Sequence, residues 1–215
     1  FGAGLRRPFF LIFATALSRP RGEARMSGSA RGNRAAAARA IADLIRALGL
    51  DTGAEPELKA TPERAADFYF EAFAGLDPGA EPELATFPHA GDAQLVAVRD
   101  LSFHSVCVHH LAPFFGRALI AYLPDADLLG ISGAGRLLDF YARRPQLQER
   151  LGAQIADHLE RLVKPRGVAV VLEARHLCME MRGARRSAWV ETRIVRGALA
   201  EPQWADALRL GVRHE

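Results

Sequence analysis

Both cysteines of this 215-residue chain stand beside histidines, in Cys107-Val108-His109-His110 and His176-Leu177-Cys178. Two thiolates and one imidazole make a three-ligand zinc set with a fourth position open to water, the arrangement of catalytic zinc. Cys107 and His110 are close enough in sequence for one turn to bring both to one ion, while Cys178 must arrive from elsewhere in the fold. His109 and His176 sit beside the ligands, and imidazole donates and recovers protons near neutral pH. The chemistry indicated is hydrolysis by a zinc-activated water with proton-transfer groups at hand. Spacing alone leaves open a fourth ligand from His109 or His176, which would make the site structural, and it leaves open buried core thiols or a disulfide. His104, His89, His158 and His214 read as ordinary surface or packing residues.

The elements that must position these residues alternate in type. Ala35 to Leu50 reads as a helix, with Ala38, Ile41, Leu44, Ile45 and Leu48 on one side. Thr61-Pro62-Glu63-Arg64 starts a second, with threonine as cap and proline at the first position. The Pro-, Gly- and acid-rich stretch 75–92 reads as an exposed connection. Strands are expected over 94–99, 117–123, 168–174 and 189–199. Between them Ser132 caps a helix running to Arg143. Pro145 opens another whose stripe is Leu147, Leu151, Ile155, Leu159 and Leu162, with Gln148, Glu149 and His158 on other faces. The third strand is followed at once by His176 and Cys178, which share a face if the segment stays extended. Helices, two strands, two helices and two strands suggest an α+β fold with an antiparallel sheet.

Hydrophobic residues make up 49% and charged residues 25%, as expected of a water-soluble globular chain. The net charge of +3 is unevenly placed: Arg6, Arg7, Arg19, Arg21, Arg25 and Arg31 against Glu23 leave −2 for residues 32–215. The basic character therefore belongs to the N-terminal stretch and does not argue for nucleic-acid binding by the folded body. That stretch superficially resembles a signal peptide, but cysteines that look like metal ligands suit a reducing, cytoplasmic compartment. Residues 1–34 read as a disordered leader or a non-native extension, with Met26 a candidate start. No run reaches the ~20 apolar residues of a membrane helix. The expected organisation is that leader, a helical region over 35–78 and a zinc-binding catalytic domain over 79–215.

Several segments together resemble GTP cyclohydrolase I, a zinc enzyme of pterin biosynthesis. They are Thr61-Pro62-Glu63-Arg64, Val98-Arg99-Asp100, the Cys107 motif, Pro113-Phe114-Phe115-Gly116, residues 143–150, Pro165-Arg166-Gly167-Val168-Ala169-Val170, and His176-Leu177-Cys178-Met179-Glu180-Met181-Arg182-Gly183. The resemblance spans about residues 35–199. It implies the tunnelling fold, an antiparallel sheet with long helices packed on one face, assembled as a homodecamer of two pentamers. It implies hydrolytic opening of the guanine imidazole ring of GTP at C8, release of formate and rearrangement to 7,8-dihydroneopterin triphosphate. By the same resemblance Cys107, His110 and Cys178 hold Zn2+, and His176 is the main acid at the purine with His109 assisting. Glu149 recognises guanine, and Ser132, Arg136, Arg182 and Arg64 meet the nucleotide and its phosphates.

The chain departs from the family pattern at three places. Val108 replaces a glutamate that is not a ligand. Gly133 stands where a lysine usually follows the serine, and Asp67 where a lysine usually follows the helix arginine. Both lost lysines belong to the triphosphate pocket, and Asp67 reverses a charge beside an anion. An alternative is therefore a diverged cyclohydrolase for a less phosphorylated guanine nucleotide, or one that stops at an earlier product. A catalytically silent structural or regulatory paralogue is the alternative of another class.

Overall fold

A run of apolar residues on both faces is what a strand inside a sheet requires, and Val168 to Ala174 is such a run. In the computed structural model, which describes residues 32–210 except Thr52 and Ala93, it forms the centre of β6 (Gly167–His176). Its neighbours are β3 (Pro113–Leu123) and β7 (Val190–Gly197), both antiparallel. β2 (Val96–Cys107) lies on the far side of β3, and the two-residue β5 (Pro145–Gln146) closes the order β5-β2-β3-β6-β7. The sheet is antiparallel except where β5 runs parallel to the end of β2. A two-stranded antiparallel pair, β1 (Thr86–Pro88) with β4 (Asp127–Leu129), stands apart from it.

Alternation along the strands decides what each face does. Phe103 and Cys107 of β2, Phe114, Ala118, Ile120 and Tyr122 of β3, and Val168, Val170, Leu172 and Ala174 of β6 share one core. Leu137 and Leu138 of α3 (Ile131–Ala142) complete it, with Leu151, Ile155 and Leu159 of α4 (Gln148–Val163). Burying each large side chain in this core contributes roughly 1.5–3 kcal/mol over leaving it in water. The opposite face carries a second cluster of Leu119, Ala121, Leu123, Ala169 and Val171 under Leu199 and Leu208. Gly116 of β3 allows the closest approach of strands, since a Cβ there would sit 1.9 Å from the Glu173 carbonyl oxygen.

The chain divides into two compact units at Glu81/Pro82. The N-terminal unit contains α1 (Arg34–Ala47) and α2 (Thr61–Ala72). Of the expected α1 stripe, Ile45 is buried, while Leu44 and Leu48 are exposed in this chain. Residues 1–31, most of the expected leader with Met26, lie outside the described residues, as does His214; Asn33 and Arg34, expected at the end of that leader, are the N-cap and first residue of α1.

Several boundaries differ from expectation. Thr61 is the first residue of α2 rather than its cap, and its hydroxyl faces Glu57 O at 3.4 Å. Ser132 lies inside α3, whose N-cap is Gly130 with no side-chain cap, and the helix ends at Ala142. Pro145 belongs to β5, because its segment bonds to β2 before α4 begins at Gln148. β2 is twice the expected length: a register shift between Val98 and Leu101, with Asp100 at φ 52°, lets one strand continue to Cys107. Among the described residues no helix is long and apolar enough to cross a membrane.

Candidate metal centre and proton-transfer site

Three chain segments end together at one edge of the sheet. β2 arrives at Cys107, whose N–H donates to Ala112 O at 2.8 Å and whose carbonyl accepts from Leu111 N at 2.9 Å. These bonds close the short turn that presents His109 and His110, with Leu111 taking a left-handed φ of 51°. Val108 N donates to Gln146 O at 3.0 Å, which ties the turn to β5. β6 delivers His176 on its helix-covered face, directly opposite Phe114. Cys178 follows in α5 (Leu177–Glu180), a single helical turn. His176 and Cys178 are therefore related by that turn and not by the extended alternation expected; the chain leaves the sheet right after His176. Arg175 and Glu180 pair across it, Nε to Oε1 at 2.9 Å, bracing α5 against β6.

The ligating atoms of Cys107, His110 and Cys178 lie within 4.8 Å of one another, the arrangement of a possible metal site. His109 and His176 stand outside that group. His109 Nδ1 is nonetheless 4.0 Å from the Cys107 sulfur, the same as His110 Nδ1. His110 Nε2 accepts from Arg182 Nη1 at 2.6 Å, which leaves Nδ1 as the nitrogen facing the thiols. Burial raises the Cys178 thiol above its usual range, and the neighbouring Cys107 adds to this while Arg182 opposes it. Two thiolates held this close repel each other, and a divalent cation relieves that repulsion. Two soft sulfur donors with one imidazole form a set suited to zinc.

His176 is held on two sides. Its ring stacks on Phe114 with centroids 4.7 Å apart and planes 3° from parallel. Its Nε2 lies 2.8 Å from Gln148 Oε1. Burial lowers its pKa from the usual imidazole value, while the Glu149 and Glu180 carboxylates pull the other way. Glu149 therefore acts electrostatically on His176 from the first turn of α4, where it is exposed.

The groups expected at phosphates are placed differently. Ser132 is exposed, and its hydroxyl accepts from Arg136 Nη2 at 3.3 Å, while Arg136 Nη1 donates to Glu83 O at 3.1 Å. Arg182 is on His110. Arg64 belongs to the N-terminal unit, where it shares a shallow groove with Lys59, Glu63 and Asp67. Asp67 pairs with Arg34. Gly133 is buried in α3, and a Cβ on it would meet Leu129 Cδ1 at 2.7 Å.

Gln148 and His158 were expected on outer faces of α4 but are 2% and 5% exposed. For Gln148 the signal was in the spacing: it lies seven residues before Ile155, on the apolar stripe itself. A polar residue on such a stripe needs buried partners, and Gln148 has them at Leu172 O, Val190 O, Thr192 Oγ1 and His176.

The site is a possible three-ligand metal centre, and the chain belongs to the GTP cyclohydrolase I family, whose sequence model matches residues 37–209. It is 45% identical over 166 residues to a GTP cyclohydrolase 1 of Thermobifida fusca, covering 76% of this chain and 80% of the relative. A GTP cyclohydrolase 1 of Brucella anthropi is 49% identical over 147 residues, 66% of this chain and 69% of its own. That of Streptomyces avermitilis is 46% identical over 166 residues, covering 76% and 82%.

Proposed function

We propose that the chain is a zinc-dependent GTP cyclohydrolase I. It opens the guanine imidazole ring of GTP at C8, releases C8 as formate and rearranges the remainder to 7,8-dihydroneopterin triphosphate. The observation that carries this is the convergence of Cys107, His110 and Cys178 within 4.8 Å, in a chain of this family. Those three residues would hold zinc, which when bound supplies a Lewis acid able to make water nucleophilic near neutral pH.

The remaining roles belong to the chain's own groups. The Glu149 carboxylate accepts hydrogen bonds from guanine N1–H and its exocyclic amine, a donor pair adenine lacks. His176 gives a proton to an imidazole nitrogen of the guanine, which makes C8 electrophilic, and later recovers one. His109 assists as the ring opens. Ser132, Arg136, Arg182 and Arg64 meet the ribose triphosphate, arginine being suited to phosphate oxygens. The tunnelling fold and a homodecamer of two pentamers are part of the same reading. Among the described residues β7 pairs only with β6, so its outer edge is available to a neighbouring subunit. Residues 79–215 form the catalytic domain, 35–78 a helical region, and thiol ligands suit the cytoplasm.

A second reading, a cyclohydrolase for a less phosphorylated guanine nucleotide, is favoured by one observation. Leu129 occupies the space beside Gly133, where a longer side chain would have to pass. Turnover by the zinc-loaded protein of GTP, GDP, GMP and guanosine in parallel separates the two. Formate and a fluorescent pterin, followed independently, are both expected from GTP. Faster turnover of a less phosphorylated substrate, or formate without pterin, would replace the first reading by the second. No turnover of any purine would leave a catalytically silent paralogue.

A further inference from the structure

Gln148 is a buried amide whose orientation can be settled from its partners. Its Nε2 lies 3.0 Å from Leu172 O, 2.9 Å from Val190 O and 3.2 Å from Thr192 Oγ1. Backbone carbonyls only accept, so the NH2 group must face them. Its Oε1 then points at His176 Nε2, 2.8 Å away. A carbonyl oxygen cannot donate, so His176 Nε2 must carry a proton. In the neutral ring Nδ1 is then the bare nitrogen, and it has no hydrogen-bond partner among the described residues. Phe114, stacked at 4.7 Å, resists rotation of the ring out of this plane.

We infer that Gln148 is a positioning residue that holds His176 as its Nε2–H tautomer, so that every proton His176 exchanges with substrate passes through Nδ1. The inference deepens the proposed function and rests on His176 being the proton-transfer group at the purine. Nδ1 is then the ring nitrogen left to meet a substrate. Gln148 touches no substrate in this scheme; it prevents the alternative tautomer, whose only lone pair would face the amide and be useless to the reaction. The same amide bonds to both β6 and β7. The tautomer is thus fixed by the sheet itself and does not depend on a mobile surface group.

The direct test is solid-state 15N NMR of histidine-labelled, zinc-loaded protein at a pH where the ring is neutral, with the His176 signals assigned by their loss in His176→Gln. The expected spectrum shows a protonated Nε2 and an unprotonated Nδ1. A protonated Nδ1 in the unmutated protein overturns the inference, whatever any variant does. Gln148→Met keeps the length and removes both the acceptor and the N–H donors of the amide. Gln148→Met should keep its zinc and lose about 10- to 100-fold in kcat, the usual cost of losing a group that orients a site imidazole, with a smaller change in KM. A Gln148→Met protein with zinc bound, both tautomers present and kcat unchanged overturns the positioning role. If unmutated protein gives the expected spectrum but turns over no guanine nucleotide, the functional reading has failed while the tautomer assignment stands.

Discussion

The thiol–imidazole end of the sheet and the groups expected at phosphates are built by different rules. Cys107 is buried, and its backbone is bonded on both sides within its own turn. His176 lies between a fully buried phenylalanine and a buried amide. By contrast, Ser132, Arg136, Arg182 and Arg64 are all exposed; Ser132 and Arg136 bond to each other, Arg136 also to a carbonyl, and Arg182 to His110. A group that must present one particular nitrogen or sulfur tolerates little freedom, whereas arginines reach an anion from many rotamers. Two of the three expected departures from the family pattern, Gly133 and Asp67, fall among the second set of groups, and the third, Val108, stands beside Cys107 without being an expected ligand.

The largest effect should follow removal of a sulfur. Cys178→Ala is expected to lose zinc and turnover together, by about 10^3-fold or more, since the metal supplies several kcal/mol of transition-state stabilisation. Metal content and formate release, measured on the same sample, check this. Full turnover without metal would dissolve the distinction between the two regions. Next comes His176→Gln, which should keep zinc and fall about 10^2- to 10^4-fold in kcat, the range for a lost general acid. Zinc lost along with activity would make His176 a ligand and move it to the metal side of the comparison.

The metal side was legible in sequence because it needs rare residue types at fixed positions. Two cysteines with flanking histidines leave few arrangements, and Cys107, His110 and Cys178 do converge. The apolar stripe of α4 was equally legible, with Leu151, Ile155 and Leu159 all buried. What failed was the reading of polar residues by type alone. Gln148 was assigned outward because glutamine usually is, although its position on the stripe said otherwise. Boundaries failed where tertiary pairing overrode local signals. Pro145 suits a helix start, but its segment bonds to β2, and the bulge at Asp100 carried β2 past the expected strand end. Ser132 is a good cap by type, yet its hydroxyl serves Arg136. The exposed arginines could be placed only by resemblance, because an arginine on a surface has no pattern of its own.

Glu149 sits between the two regions, exposed yet within electrostatic reach of His176. In the proposed role, replacing it by alanine would remove charge-assisted hydrogen bonds to guanine worth about 1.5–3 kcal/mol each. Glu149→Ala should lower kcat/KM for GTP about 10^2-fold and leave zinc content unchanged. Unaltered kinetics would place Glu149 among the solvent-facing residues of α4.

The smallest effect tests the phosphate side from within the fold. A lysine returned at position 133 would be expected to improve GTP binding if only charge were missing. The packing argues against that. Gly133 is buried, and a Cβ would sit 2.7 and 2.8 Å from Cδ1 and Cγ of Leu129, which is itself 6% exposed. Leu129 cannot swing aside freely, because its N–H donates to the Tyr122 hydroxyl at 2.9 Å and its side chain belongs to the main core. Gly133→Lys should therefore cost about 1–3 kcal/mol of stability, as overpacked cores do, and leave KM for GTP no lower. Gly133→Lys with Leu129→Ala makes room at the price of a cavity, and only in that pair should KM for GTP fall. Thermal melts beside GTP kinetics measure both. If the single variant binds GTP more tightly at undiminished melting temperature, then position 133 limits GTP binding through charge alone. The phosphate side would then be as freely adjustable as its exposure suggests, with no constraint from the core beneath it.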